Sequence, residues 1–189
     1  MVEEQKNGVF IALMRGINIG GTNKVTMNEL REVFTNAGCK EVTSYIQTGN
    51  IVFTYPIVSI SSLVDKVLVK IQEEFVFTTT PRIMILSLNE FKKAIDENPY
   101  KNKGAPNRHH CYFLSDEPDN PKLEILKTVQ NTEEFELKEK IFFLYTPDGL
   151  GRSKLAKNVE KTLGVHATAR NYRSVMKIWE IAEKLKNKE

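Results

Sequence analysis

The order of the apolar segments constrains this chain more than any other feature. "GVFIALM" (residues 8–14) is a short, continuously apolar run of the kind that forms a buried strand. Behind it, Thr26 and Glu29 make the T-x-x-E pattern of a capping box, which predicts a helix to about Ala37 with Gly38 as its C-terminal glycine. "EVTSYI" and "NIVFTY" are rich in β-branched and aromatic residues, and "QTGN" joins them as a hairpin turn. "SISSLVDKVLVKIQEEF" places Leu63, Val67, Leu68 and Ile71 at helical spacing, with serines available to cap its start, and "PRIMIL" follows as a strand. The sum is β-α-β-β-α-β, the ferredoxin-like order.

The same order then returns. "HHCYFL" reads as a strand and "PKLEILKTVQ" as a helix with Pro121 in its first turn. "FELKE" and "KIFFLY" suggest a hairpin, "SKLAKNVEKTLG" a helix closed by Gly164, and "VHATA" a strand. "NYRSVMKIWEIAEKLK" is a terminal helix with Val175, Ile178, Trp179, Ala182 and Leu185 on one stripe. The repeat is one of elements, not of residues. "DENPYKNKGAPNR" carries the Pro, Gly and Lys of a connecting segment. The expectation is an α+β protein of two ferredoxin-like (βαββαβ) halves with antiparallel sheets and a C-terminal helix. The first half spans 1–97, a linker 98–108, and the second half with its helix 109–189.

Composition narrows the setting. The chain has 189 residues, 41% hydrophobic and 27% charged, which suits one domain or two small halves. A net charge of +3 permits an anion or a nucleic acid as partner without requiring either. Cys39 and Cys111 match no metal or redox spacing and read as reduced thiols of a cytoplasmic protein. The start "MVEEQKN" is unlike a targeting segment, and no run approaches the ~20 apolar residues that span a membrane.

Topology brings polar loops together. In a βαββαβ sheet the strand order is 4-1-3-2, so the loop after the first strand and the turn between the second and third emerge at one edge. "RGINIGGTN" and "QTGN" are therefore expected to be neighbours, with "VFTTTPR" beside them. A strand running into a glycine-rich loop and a helix suits an anion, because backbone N–H groups and the helix dipole favour negative charge there. Arg15 and Lys24 add fixed positive charge. The candidate ligand contacts are Arg15, Gly16, Asn18, Gly20, Gly21, Asn23 and Lys24, with Thr48, Gly49 and Asn50 from the turn. Arg170 and Asn171 are candidates to complete the site from the second half. The ligand class is a small anionic or phosphorylated molecule, with no cofactor and no metal.

The competing reading is structural: glycines supply positive φ, and Asn18 and Asn23 tie down the backbone. Gly16 and Gly21 have the end spacing of a P-loop, but Thr22 stands where its lysine belongs, so nucleoside triphosphatase chemistry is not expected. In "ATARNYRSV", Asn171 or Ser174 is placed to cap the last helix, while Arg170 and Arg173 oppose its dipole. "PDGLGRSKLAK" repeats the theme with Ser153 as N-cap among Arg152, Lys154 and Lys157.

No catalytic constellation is identifiable. His109 and His110 point to opposite faces of a strand, and the sequence has no H-x-x-x-H, C-x-x-C or G-x-S-x-G. A nucleic-acid-binding module of ferredoxin-like fold is the alternative. Phe10 suits an RNA-stacking strand, but Asn50 and Val52 replace the aromatics a third strand would need. A folding or self-association role for the polar loops is a further alternative.

"ALMRGINIGGTNKVTMNELREVFTNAGCKEVTSYIQTGNIVF" closely resembles the signature of the bacterial family called domain of unknown function 1697. That pattern is a strand, L-x-R-G-I-N-V-G-G, a capped helix and Y-x-x-S-G-N-V-V-F. "NPY" at 98–100, "GRS" at 151–153 and "TARNYRSVMKI" from Thr168 resemble its later blocks. Thr48 replaces the usual serine and keeps the hydroxyl; Tyr172 stands where tryptophan is common and keeps an aromatic ring. The resemblance implies a compact cytosolic α+β protein of two related halves and no established activity. The blocks that carry it are the polar loops singled out above.

Overall fold

The computed structural model describes residues 6–188. β1 (Asn7–Arg15), α1 (Met27–Asn36), β2 (Lys40–Tyr45), β3 (Asn50–Pro56), α2 (Leu63–Glu74) and β4 (Arg82–Ser87) build the first sheet, in the order β2-β3-β1-β4 with antiparallel neighbours. After α3 (Leu88–Asp96), the elements β5 (His109–Leu114), α4 (Leu123–Val129), β6 (Glu134–Lys138), β7 (Ile141–Tyr145), α5 (Lys154–Leu163) and β8 (Ala167–Asn171) build the second, in the order β6-β7-β5-β8. α6 (Tyr172–Lys186) closes the chain. Both sheets have the ferredoxin-like order, and the expected fold class holds.

Each sheet has its own core. In the first, Phe10, Ala12 and Met14 of β1 pack with Leu30, Val33 and Phe34 of α1, Ile51 and Phe53 of β3, and Val67 and Ile71 of α2. The alternate residues Val9, Ile11 and Leu13 are buried as well. A central strand buried on both faces explains why "GVFIALM" is apolar throughout and does not alternate. In the second, Tyr112 and Leu114 pack with Leu126, Phe142, Leu144, Leu155 and Val159.

Residues 6–92 with 177–188 form one compact unit and residues 93–176 the other. The first turn of α6 thus belongs to the second unit and its remainder to the first.

Several boundaries follow local chemistry. α1 starts as expected, with Thr26 accepting from the Glu29 N–H at 3.2 Å and the Glu29 carboxylate accepting from the Thr26 N–H at 2.8 Å. α5 is capped by Ser153 and closed by Gly164 at φ 72°. The expected second helix begins later than its serines suggested. Residues 57–62 form a 3-10 turn in which the Ser62 hydroxyl donates to the Ser59 carbonyl, so the serine turns the chain where a cap was expected. α4 begins at Leu123, two residues past Pro121. α3 is an element the periodicity reading omitted. Its start carries the same device as α1, Ser87 paired with Glu90.

Candidate functional site

The three polar segments do meet at one edge of the first sheet, and the contacts that join them are specific. Asn18 and Asn23 both adopt positive φ, 54° and 47°. The Asn18 side-chain amide donates to the carbonyls of Val25, at 2.9 Å, and Gln47, at 3.0 Å, while its oxygen accepts from the Val25 N–H. Asn18 thereby ties the β1–α1 loop to the β2–β3 turn. Asn23 is buried and ties the same loop to the segment before β4. Its amide donates to the Gly16 and Thr79 carbonyls at 2.7 and 3.0 Å, and its oxygen accepts from the Thr78 N–H at 2.9 Å and from the Thr78 hydroxyl. These two amides are fully used in holding the loops.

The turn is equally built. Gly49 has φ 72°, and a Cβ there would lie 2.5 Å from Met14 Cβ and 2.6 Å from Ile17 Cδ1. Only glycine lets the turn press on β1, where its carbonyl accepts from the Met14 N–H at 2.8 Å. Asn50 is fully buried, and its amide donates to the Tyr45 carbonyl and the Thr48 hydroxyl at 2.9 and 3.0 Å. Asn50 and Thr48 therefore also have structural partners.

The glycines and cations of the edge complete the picture. Gly20 and Gly21 are exposed at positive φ, with open space where a Cβ would stand. Lys24 is exposed beside them. Arg15, the last residue of β1, is half-buried and pairs in register with Arg82, the first residue of β4. Cross-strand partners share a face, so two guanidinium-bearing side chains stand together at this edge. The sequence places "VFTTTPR", which ends in Arg82, at this edge without singling out Arg82 as a contact, although the 4-1 pairing was sufficient to do so. The segments 14–25, 45–50 and 75–82 contain no Asp, Glu, His or Cys, so they bring cations and amides to the edge and no carboxylate, imidazole or thiol of their own. The N-terminus of α1 is already satisfied by its own capping box. Any anion at this edge therefore meets the loop backbone and side chains.

The candidates from the second unit have local roles. Arg170 lies opposite Cys111 in the sheet; it is nine-tenths buried, its guanidinium donates to the Ala169 carbonyl at 2.9 Å, and burial pushes its pKa down to about 10. The Asn171 oxygen accepts from the Ser174 N–H at 2.9 Å and caps α6, one of the two placements expected. Phe10 sits in the core, 6.1 Å from the Phe53 ring, so its face is not offered to a nucleobase. Cys39 and Cys111 are free and buried, and burial pushes the Cys39 thiol up to about 12. Among the described residues no cluster of His, Cys, Asp and Glu suits a metal ion, and no helix is long and apolar enough to cross a membrane.

The solved structure of the conserved bacterial protein SP0830 from Streptococcus pneumoniae is similar, with a TM-score of 0.64 and 28% identity over 94% of this chain and 99% of that one. No curated protein matches. The family model described as "Protein of unknown function (DUF1697)" matches residues 8–143, a span that contains the β1–α1 loop, the β2–β3 turn and the "NPY" block. The chain belongs to the DUF1697 family.

Proposed function

We propose that this protein binds a small anionic or phosphorylated ligand at the edge formed by the β1–α1 loop, the β2–β3 turn and the segment before β4. One observation carries the reading: three segments without a single acidic residue are fastened side by side by Asn18 and Asn23, and between them they carry Arg15, Arg82, Lys24 and the exposed glycines Gly20 and Gly21. Guanidinium groups grip phosphate or carboxylate oxygens in pairs, and a glycine backbone lets the anion come close. The asparagines serve as the frame: Asn18 and Asn23 hold the loops while Arg15 and Lys24 meet the ligand. These segments carry no Asp, Glu, His or Cys, and the reading is of binding.

The test is Arg15→Ala, with thermal shifts measured across nucleotides, inorganic phosphates and phosphorylated metabolites. The wild-type protein is expected to be stabilised by one anion class, and the variant to lose that response. Equal responses from both proteins, or none from the wild type, count against the proposal. A variant that melts lower or changes its association state while keeping the anion response points instead to a structural role for the loop.

A further inference from the structure

The second unit holds a cleft of about 570 Å3, walled by the end of α4, the residues that enter β6, and the turn from β7 into α5. That volume lies in the range of small-molecule sites, but the residues that line it are polar or charged except Val129 and Gly149, unlike the apolar and aromatic lining most such sites have. A polar lining selects a polar ligand. The state of each charged group then says which kind.

The two carboxylates of the cleft are already engaged by the protein. Glu133 is buried and accepts the Asn131 N–H at 2.8 Å and the Ser153 hydroxyl. Burial pushes its carboxyl up, but these hydrogen bonds outweigh burial and leave it below the usual carboxylate range. Asp148 accepts the Thr132 hydroxyl at 2.6 Å. Both acids brace one wall against another. The cations stand differently. Arg152 and Lys154 are exposed on the cleft and have no acidic partner among the described residues. Arg108 adds a third cation, also without one: a Cβ on Gly149 would lie 2.7 Å from its Nη1. Glycine at 149, with φ 94°, lets that guanidinium lie directly against the cleft wall. The acids are thus hydrogen-bonded to the scaffold, and the charged groups left without a hydrogen-bond partner among the described residues are the cations.

We infer that this cleft binds a phosphorylated small molecule with a hydroxyl-bearing body. Arg152 and Lys154 hold the phosphate, Arg108 adds positive charge from beside Gly149, and the amide, hydroxyl and backbone groups of the remaining wall meet the hydroxyls. Bidentate guanidinium contacts suit phosphate, and lysine adds a point charge. The cleft is much larger than a phosphate ion, so a body beyond the anion is part of the fit. The site lies wholly in the second unit and shares no residue with the β1–α1 edge, so it stands or falls independently of that proposal.

Calorimetric titration of the full chain with ribose 5-phosphate, ribose and inorganic phosphate tests it. Ribose 5-phosphate is expected to bind, inorganic phosphate to bind more weakly, and ribose to give no heat. The double variant Arg152→Ala/Lys154→Ala is expected to weaken ribose 5-phosphate about a hundredfold, as two charge-assisted contacts are lost. Arg15→Ala is expected to bind it as the wild type does. The inference is overturned if neither phosphate binds, if the double variant binds as tightly as wild type, or if ribose binds as well as its phosphate. Inorganic phosphate binding as tightly as ribose 5-phosphate overturns the hydroxyl-bearing body. Both altered side chains are exposed, so the variant is expected to melt with the wild type; if it melts lower, Arg152→Gln/Lys154→Gln carries the same comparison.

Discussion

At the scale of single residues, the β2–β3 turn places two opposite demands side by side. Gly49 sits at φ 72° against Met14 and Ile17, so a methyl group there is both strained and in collision. Gly49→Ala is expected to cost ~2–4 kcal/mol in urea unfolding, the sum of a left-handed conformation and overpacking. Ile46, three residues earlier, is the reverse case. It is a β-branched residue at φ 47°, 46% exposed, so it carries backbone strain without the full return of burial. Ile46→Gly is expected to stabilise the protein by up to ~1 kcal/mol or leave it unchanged in the same assay. A loss there as large as that of Gly49→Ala would show that Ile46 packs on something its exposure does not suggest. The residue scale is also where the site was least legible. "RGINIGG" and "QTGN" announced turns and donors, but not that Asn18, Asn23 and Asn50 would spend their amides on neighbouring carbonyls. An asparagine beside a glycine reads the same whether it faces a ligand or its own backbone.

At the scale of elements, period and caps carried most of the information. β5 was read from His109 to Leu114, as found, and T-x-x-E placed the start of α1. α3 goes unread although Ser87 and Glu90 announce it with the same pattern, because it follows β4 directly with no turn residue between them. The late start of α2 shows the converse: serines can turn the chain as readily as they cap it. β5 also carries a consequence that periodicity does not reveal. It is buried along its whole length and opens on two histidines. His109 donates from Nε2 to the Lys103 carbonyl, whereas Nε2 of His110 is buried without a hydrogen-bond partner. Burial first, then His109 and Arg108, lowers the His110 pKa to about 4. Its folded pKa is below the unfolded value, so its contribution to stability is present above pH ~6.5 and is lost as pH falls toward the folded value. Between pH 6.5 and 4 this one residue is expected to remove up to ~3 kcal/mol from the unfolding free energy. His110→Gln, which stays neutral, is expected to flatten that part of the curve. Unfolding free energies measured across this range decide it: an unchanged slope in the variant assigns the acid sensitivity elsewhere.

At the scale of the whole molecule, repetition was legible and connectivity was not. The two βαββαβ patterns predicted two antiparallel sheets of order 4-1-3-2, and both are present. Nothing in the periodicity of "NYRSVMKIWEIAEKLK" said which sheet its stripe would serve, because an amphipathic helix records that it has a partner and not which one. The answer is a divided one, since residues 177–188 group with the first unit although they follow the second in sequence. That segment contributes buried Ile178, Ala182 and Leu185. Burial of an Ile or Leu side chain contributes ~1.5–3 kcal/mol, so removing the segment withdraws several kcal/mol from a stability that in a typical domain is only ~5–15 kcal/mol. Truncation after Met176 is therefore expected to reduce amide-exchange protection in β1 and β3 by more than in β5 and β7. Equal loss in both sheets would contradict the grouping of the segment with the first unit. If β1 and β3 lose protection selectively, the first ferredoxin-like unit is one that its own contiguous stretch, residues 6–92, does not complete. Ligand binding at the β1–α1 edge would then require the last twelve described residues as well as the loop that carries Arg15, and a fragment ending at residue 92 would fail to bind for want of a stable unit while still containing every proposed contact at that edge.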